Sequence, residues 1–272
     1  DDATGTIDAA DNNTGFGVDV FAALTSGDDN TAVGKSALTA NTTGADNVAI
    51  GSGALDANTT AANGVAVGKD ALTDNTTGAY NVGIGKRALY VNTTGTENVS
   101  MGGLSMDANS TGSYNVGIGQ NALGANTTAN NNTAVGTSAL AANTTGTENV
   151  AVGAIALDAQ TTASYNTAVG YNAGSANTTG SQNTFIGRYA GAANTTGADC
   201  VVVGSGAFST NTTGTSNTAV GKGALNANTT GDYNTAIGRD ALLSNTTASN
   251  NTAIGTSSLD ANTTGDHNVG IG

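Results

Sequence analysis

The chain has no proline and no tryptophan, one cysteine, one histidine, seven tyrosines and four phenylalanines. A Ser-His-Asp or Cys-His nucleophile needs a histidine, and only His267 is present. A structural zinc site needs several Cys or His ligands, which these counts do not supply. Seven basic residues stand against twenty acidic ones, giving a net charge of −13. That balance argues against nucleic acid, whose phosphates want a basic surface. No apolar run approaches the length of a membrane span, so this segment is expected to make no membrane contact, and residues 1–12 show no signal-peptide pattern.

What fills the chain instead is one repeated unit. From Asn13 to Gly272 a 17-residue pattern recurs in sixteen copies without insertion or deletion. It reads N-T/V-A-V/I-G-x-x-A-L-x-A-N-T-T-G-x-x. Position 1 is asparagine in 14 of 16 copies, broken by Gly64 and Cys200. Position 5 is always glycine, as at Gly34, Gly51, Gly68, Gly85 and Gly102. Position 2 is always Thr or Val and position 4 is always apolar; Phe185 and Val202 are outliers at the small position 3. Position 12 is asparagine in 13 of 15 copies, with Leu24 and Gln160 as exceptions. A fixed period of this kind marks a repeat architecture.

Positions 2 and 4 are β-branched or apolar and two apart, so they share one face of a strand. Glycine at position 5 and Gly or Ala at position 15 punctuate the unit as turns. We expect two short strands and two turns per unit. One unit cannot bury its own apolar side, so successive units must stack. The expected fold is all-β, a parallel β-solenoid of 17-residue coils over residues 13–272, with residues 1–12 as a degenerate N-terminal coil. Coils stacked at about 4.8 Å make a rod roughly 75 Å long.

Stacking assigns a role to the asparagines. Residues 17 apart lie above one another, and an amide both donates and accepts, so a column can bond along the axis. Asn30, Asn47, Asn81, Asn98, Asn115, Asn132 and Asn149 form one such expected ladder. Thr42, Thr43, Thr59, Thr60, Thr76 and Thr77, at positions 13 and 14, would form surface columns with parallel hydroxyl ladders. The N-T-T triplet is also formally an N-glycosylation sequon, present thirteen times counting Asn109-Ser110-Thr111. Structural use of these asparagines is the expected reading, with O-linked sugar on outward threonines as an alternative.

Forty glycines and many alanines imply a thin core. Oligomerisation is one remedy, and small residues at positions 3 and 8 would let neighbouring backbones approach; alternatively those alanines pack inside one narrow coil. Cys200 reads as a buried, inert thiol, with an interchain disulfide open if position 1 faces an oligomer axis. His267 and Tyr80, Tyr114, Tyr165 and Tyr233 share position 17, read as a surface edge.

Six of the seven cations, Lys35, Lys69, Lys86, Arg188, Lys222 and Arg239, share position 6, marking a solvated edge. Acids recur 51 residues apart, as at Asp46, Glu97, Glu148 and Asp199, so three coils form a larger unit. Like charges then sit about 14 Å apart, beyond a Debye length of about 8 Å. Duplication of a three-coil ancestor explains the same spacing. Asp28 and Asp29 with Asp46 invite a weak calcium reading, but no EF-hand loop or Gly-Gly-x-Gly-x-Asp repeat accompanies them. No catalytic residue, cofactor or metal ligand set is assigned, and the chain is read as not an enzyme.

N-T-A-V-G…A-L…N-T-T-G resembles the head repeats of YadA-like trimeric autotransporter adhesins, and related repeats of trimeric fibre proteins. The resemblance runs from Asn13 to Gly272. It implies a left-handed parallel β-roll, three chains around one axis, an extracellular or cell-surface location, and attachment to host matrix proteins or other cells. The unit here is longer than the usual one, with N-T-T-G as the extra segment, and no neck, stalk or anchor is present in these residues. The repeat pattern stops in mid-unit at Gly272, which invites either a longer parent protein or ends that join head to tail. Three functions follow as expectations: an adhesive or structural extracellular fibre segment, a head-to-tail filament subunit, and an ice-binding solenoid that uses the threonine columns.

Overall fold

A computed structural model describes residues 10–272; most of the expected N-terminal coil, residues 1–9, lies outside the described residues. The chain is all-β, a parallel β-solenoid with 17-residue coils and no helix among the described residues. It divides into two compact units, Asp1–Asn132 and Thr133–Gly272. The first carries β1 (Thr14–Phe16) to β7 (Val116–Ile118), one strand per coil. The second carries β8 (Thr133–Val135) to β16 (Val269–Ile271) in the same manner. Within each unit neighbouring strands pair in parallel, each residue opposite its own copy, as in Thr31↔Val48, Ala32↔Ala49 and Val33↔Ile50.

Each coil holds one strand of three residues, not the two expected. The second apolar stretch, A-L at positions 8 and 9, lies in a tight run of turns. In the coil that starts at Asn30, Ser36, Leu38 and Asp46 have φ of 57°, 51° and 58°. Extended backbone cannot accommodate residues in the left-handed region, so the chain winds there instead of pairing as a ladder. A leucine in that region costs about 1–3 kcal/mol. Complete burial of Leu38 offsets it, contributing about 1.5–3 kcal/mol. A bond from its N–H to the carbonyl of Ala54, 3.1 Å away in the next coil, adds to this.

The pleat decides what is inside. Position 3 points inward, so Ala32 is fully buried beside Ala37 and Leu38, while Thr31 and Val33 on either side stay half-exposed. The small residues at positions 3 and 8 therefore pack inside their own coil rather than between chains. This overturns the expectation that they let neighbouring chains approach. Where leucine is missing at position 9, volume is restored elsewhere: Gly174 and Gly191 face the Phe185 ring, which would stand 2.6 Å and 2.3 Å from a Cβ at those glycines. The aromatic outlier at position 3 fills the space of two absent leucines.

Position 5 needs glycine twice over. Gly34 has φ of 134°, and a Cβ there would stand 2.6 Å from the Gly51 carbonyl carbon and oxygen of the next coil. Position 15 keeps an ordinary φ. Its constraint is close approach, with a Cβ on Gly44 falling 2.2 Å from the Ala61 carbonyl oxygen.

Candidate interaction surfaces

One wall of each coil is polar and dry. At position 1, Asn47 donates from its backbone N–H and its Nδ2 to Oδ1 of Asn30, at 3.0 and 3.1 Å. Its Nδ2 also reaches the Ala61 carbonyl at 2.9 Å. At position 12, Asn58 Nδ2 donates to Asn41 Oδ1 at 2.8 Å and to the same Ala61 carbonyl at 3.1 Å. The two columns thus meet on the position-15 carbonyl, and both are buried from Asn30 to Asn251 and from Asn41 to Asn245. Asn98 and Asn115 continue the first column, and Asn132 donates its backbone N–H to Asn115 Oδ1 at 3.0 Å. In the second unit Asn149 Nδ2 bonds the Ala163 carbonyl at 3.0 Å.

Gly64 interrupts the first column, because it accepts nothing through a side chain. Asn81 then turns its Nδ2 to Asn75 Oδ1 at 3.4 Å, in the other column, while keeping the Gly95 carbonyl at 2.6 Å. Burial of Asn41, Asn58 and the position-12 asparagines as far as Asn245 puts those sequon nitrogens inside the folded chain, while Asn262 is half-buried.

Cys200 takes the place of an asparagine in this wall. Its N–H donates to Asn183 Oδ1 at 3.0 Å, and its Sγ lies 3.3 Å from the Ala198 carbonyl and 3.6 Å from that of Gly214. Burial pushes the thiol up from its ordinary 9.0 to about 11, with nearby Asp199 and Asp232 adding to the rise and hydrogen bonds opposing it. Position 1 lies inside the coil, so the condition for an interchain disulfide, an outward-facing position 1, is not met.

The threonines divide into two classes. At position 13 the hydroxyl is engaged: Thr42 Oγ1 donates to the Thr59 carbonyl at 3.0 Å, and Thr59 and Thr76 repeat the bond one coil on. The Thr59 carbonyl also takes the N–H groups of Thr42 and Thr43. The ladder therefore runs from hydroxyl to backbone carbonyl, not from hydroxyl to hydroxyl. At position 14, Thr43, Thr60 and Thr77 are exposed. A flat array of two free threonine columns, which the ice-binding reading requires, is reduced to one.

The outward sheet face is the most regular surface. Positions 2 and 4 form two parallel columns, such as Val48, Val65, Val82 and Ile50, Val67, Ile84 in the first unit. No charged residue occupies either column in any of the sixteen copies. In the second unit Val152, Val169, Ile186 and Ile237 are 36%, 37%, 39% and 40% exposed. Position 4 is apolar in all sixteen copies, while position 2 is valine in eight and threonine in eight.

The remaining edges are charged and variable. Ion pairs along the position 6, 7 and 10 edge are Lys69–Asp70 at 2.7 Å, Arg239–Asp240 at 3.1 Å and Arg87–Asp107 at 3.7 Å. Exposed pairs such as the first two contribute little to stability. Burial raises the carboxyls of Asp107 and Asp158; Arg87 opposes the first shift and backbone N–H groups the second. Tyr80, Tyr114, Tyr165 and Tyr233 stand exposed at position 17, and His267 shares that column. Asp28, Asp29 and Asp46 gather no metal site; among the described residues no group of three or more His, Cys, Asp or Glu side chains could hold a metal ion. No helix among the described residues is long and apolar enough to cross a membrane.

No family model matches the chain, and no curated protein matches it.

Proposed function

We propose that this chain is a non-catalytic segment of an extracellular, surface-exposed fibre that serves attachment, and that it assembles with further copies of itself. The observation that carries the reading is the outward sheet face, an apolar column at position 4 beside a column of valine or threonine at position 2, both free of charge in every copy. Water is a poor partner for such a face, and burying it recovers about 25 cal/mol per Å². A second copy presents the same period and therefore fits it coil for coil. The repeat's resemblance to adhesin heads points to three chains in a left-handed roll. The asparagine, glycine and alanine positions are occupied with holding the coil, which leaves the variable edges at positions 6, 7, 10 and 17 to meet a ligand.

The attachment role is tested with beads coated in the chain. They should bind immobilised extracellular matrix proteins or cell surfaces above albumin-coated beads. Equal binding on every surface would remove attachment and leave a purely structural segment.

A further inference from the structure

One coil of the first unit departs from the pattern on several positions at once. In the stretch Val99–Met106, serine replaces alanine at positions 3 and 8, and methionine replaces leucine at position 9. Its position 6 is Gly103 and its position 7 is Leu104. The internal changes compensate one another: Ser100 Oγ donates to the Ser105 carbonyl at 2.8 Å, and Ser105 Oγ to the Gly117 carbonyl at 2.8 Å. The outer changes open a cleft of about 460 Å³ lined by Lys86, Arg87, Gly103, Leu104 and Gln120.

Gly103 is unlike the other described glycines. Its φ is not positive, and a Cβ there would meet nothing within 4 Å. Neither backbone conformation nor close approach requires glycine, so what its missing side chain leaves is open space. Lys86, Gly103 and Gln120 occupy position 6 of three successive coils, so the gap between the flanking side chains is about 10 Å.

The chemistry around the gap is specific. Lys86 and Arg87 are the only adjacent cations in a chain of net charge −13. Arg87 lies over the Tyr90 ring, 4.4 Å from its centroid, which holds the guanidinium plane. Its one carboxylate, Asp107, is 3.7 Å away, beyond hydrogen-bond length, and its Nε is buried with no hydrogen-bond partner. Leu104 supplies an exposed apolar surface at a position that is elsewhere mostly polar or glycine, and Gln120 supplies an amide that donates and accepts.

We propose that this cleft binds an acidic sugar residue, its carboxylate against Lys86 and Arg87, its hydroxyls at Gln120 and a C–H face on Leu104. Arg matches a carboxylate through two parallel N–H bonds. The inference goes beyond the attachment reading and does not require it, since a soluble sugar acid would occupy the same cleft.

Saturation-transfer NMR with the intact chain tests it, using sodium glucuronate, glucose and inorganic phosphate as separate probes. Saturable glucuronate binding is expected, with no response to glucose. Loss of charge-assisted bonds in Arg87→Gln or Lys86→Gln should weaken it about tenfold. Gly103→Leu should abolish it by filling the cleft while leaving the thermal transition of the chain in place. Absence of glucuronate binding, binding that survives both Arg87→Gln and Gly103→Leu, or phosphate binding as tight as glucuronate would each overturn the proposal.

Discussion

Asn98 and Asn115 lie one above the other, and the single side-chain oxygen of Asn98 accepts both the backbone N–H and the Nδ2 of Asn115, at 3.0 and 3.2 Å. Asn98 in turn donates to the Gly112 carbonyl at 2.8 Å. One amide therefore satisfies a neighbour's backbone, a neighbour's side chain and a carbonyl of its own coil, all in the dry interior. Asn98→Ala leaves several of these groups without partners and should lower unfolding stability by about 2 kcal/mol or more. Chemical denaturation of the variant checks this; an unchanged midpoint would remove the ladder from the account of stability.

Cys200 offers the reverse experiment. Asn217, one coil on, donates to the Gly231 carbonyl, but its backbone N–H meets the Cys200 sulfur where an asparagine at position 200 would offer an amide oxygen to both its N–H and its Nδ2. Cys200→Asn should restore the column and raise stability by about 1 kcal/mol.

The same thiol gives a pH prediction. Its folded value, about 11, stands above the ordinary 9.0. The folded chain thus holds the proton more tightly, so the stabilisation is complete below pH 9 and is lost as pH rises through 11. Thiol reagents at neutral pH should label the folded chain far more slowly than the unfolded one, and the alkaline loss should disappear in Cys200→Asn.

Two glycines in one part of the first unit should behave oppositely. Gly85 has φ of 134°, and a Cβ there would lie 2.6 Å from the Gly102 carbonyl oxygen. Gly85→Ala should cost about 3 kcal/mol through backbone strain, with the clash adding to it. Gly103→Ala meets no such obstacle and should leave the thermal midpoint nearly unchanged.

Neighbouring threonines should separate in the same way. Thr178 Oγ1 donates to the Thr195 carbonyl at 3.0 Å, whereas Thr179 is exposed. Thr178→Val should destabilise by about 1 kcal/mol, and Thr179→Val by much less. Equal effects in denaturation would show that the two columns do not differ.

The period, the parallel stacking and the columns of asparagine were legible because each rests on identity at a fixed spacing. Which side of the strand faces inward was harder to read. Val33 and Ile50 look like core residues, yet the pleat turns them outward and puts Ala32 and Ala49 inside. The second strand was misread because Ala37 and Leu38 carry an apolar pair without the backbone of a strand. Nothing in a leucine announces a φ of 51°, since that conformation is set by the turn it closes and not by its own preference. The cleft at Gly103 was hidden for the opposite reason. In a chain rich in required glycines, one that is not required shows itself only when the space around it is seen.

The central claim is that the uncharged sheet face brings copies of the chain together. Light scattering coupled to size exclusion measures it directly. The account predicts a mass three times the 26.2 kDa of the chain, falling to 26.2 kDa when Val152→Lys and Val169→Lys put charge on that face. A wild-type chain that stays at 26.2 kDa at every concentration would contradict it.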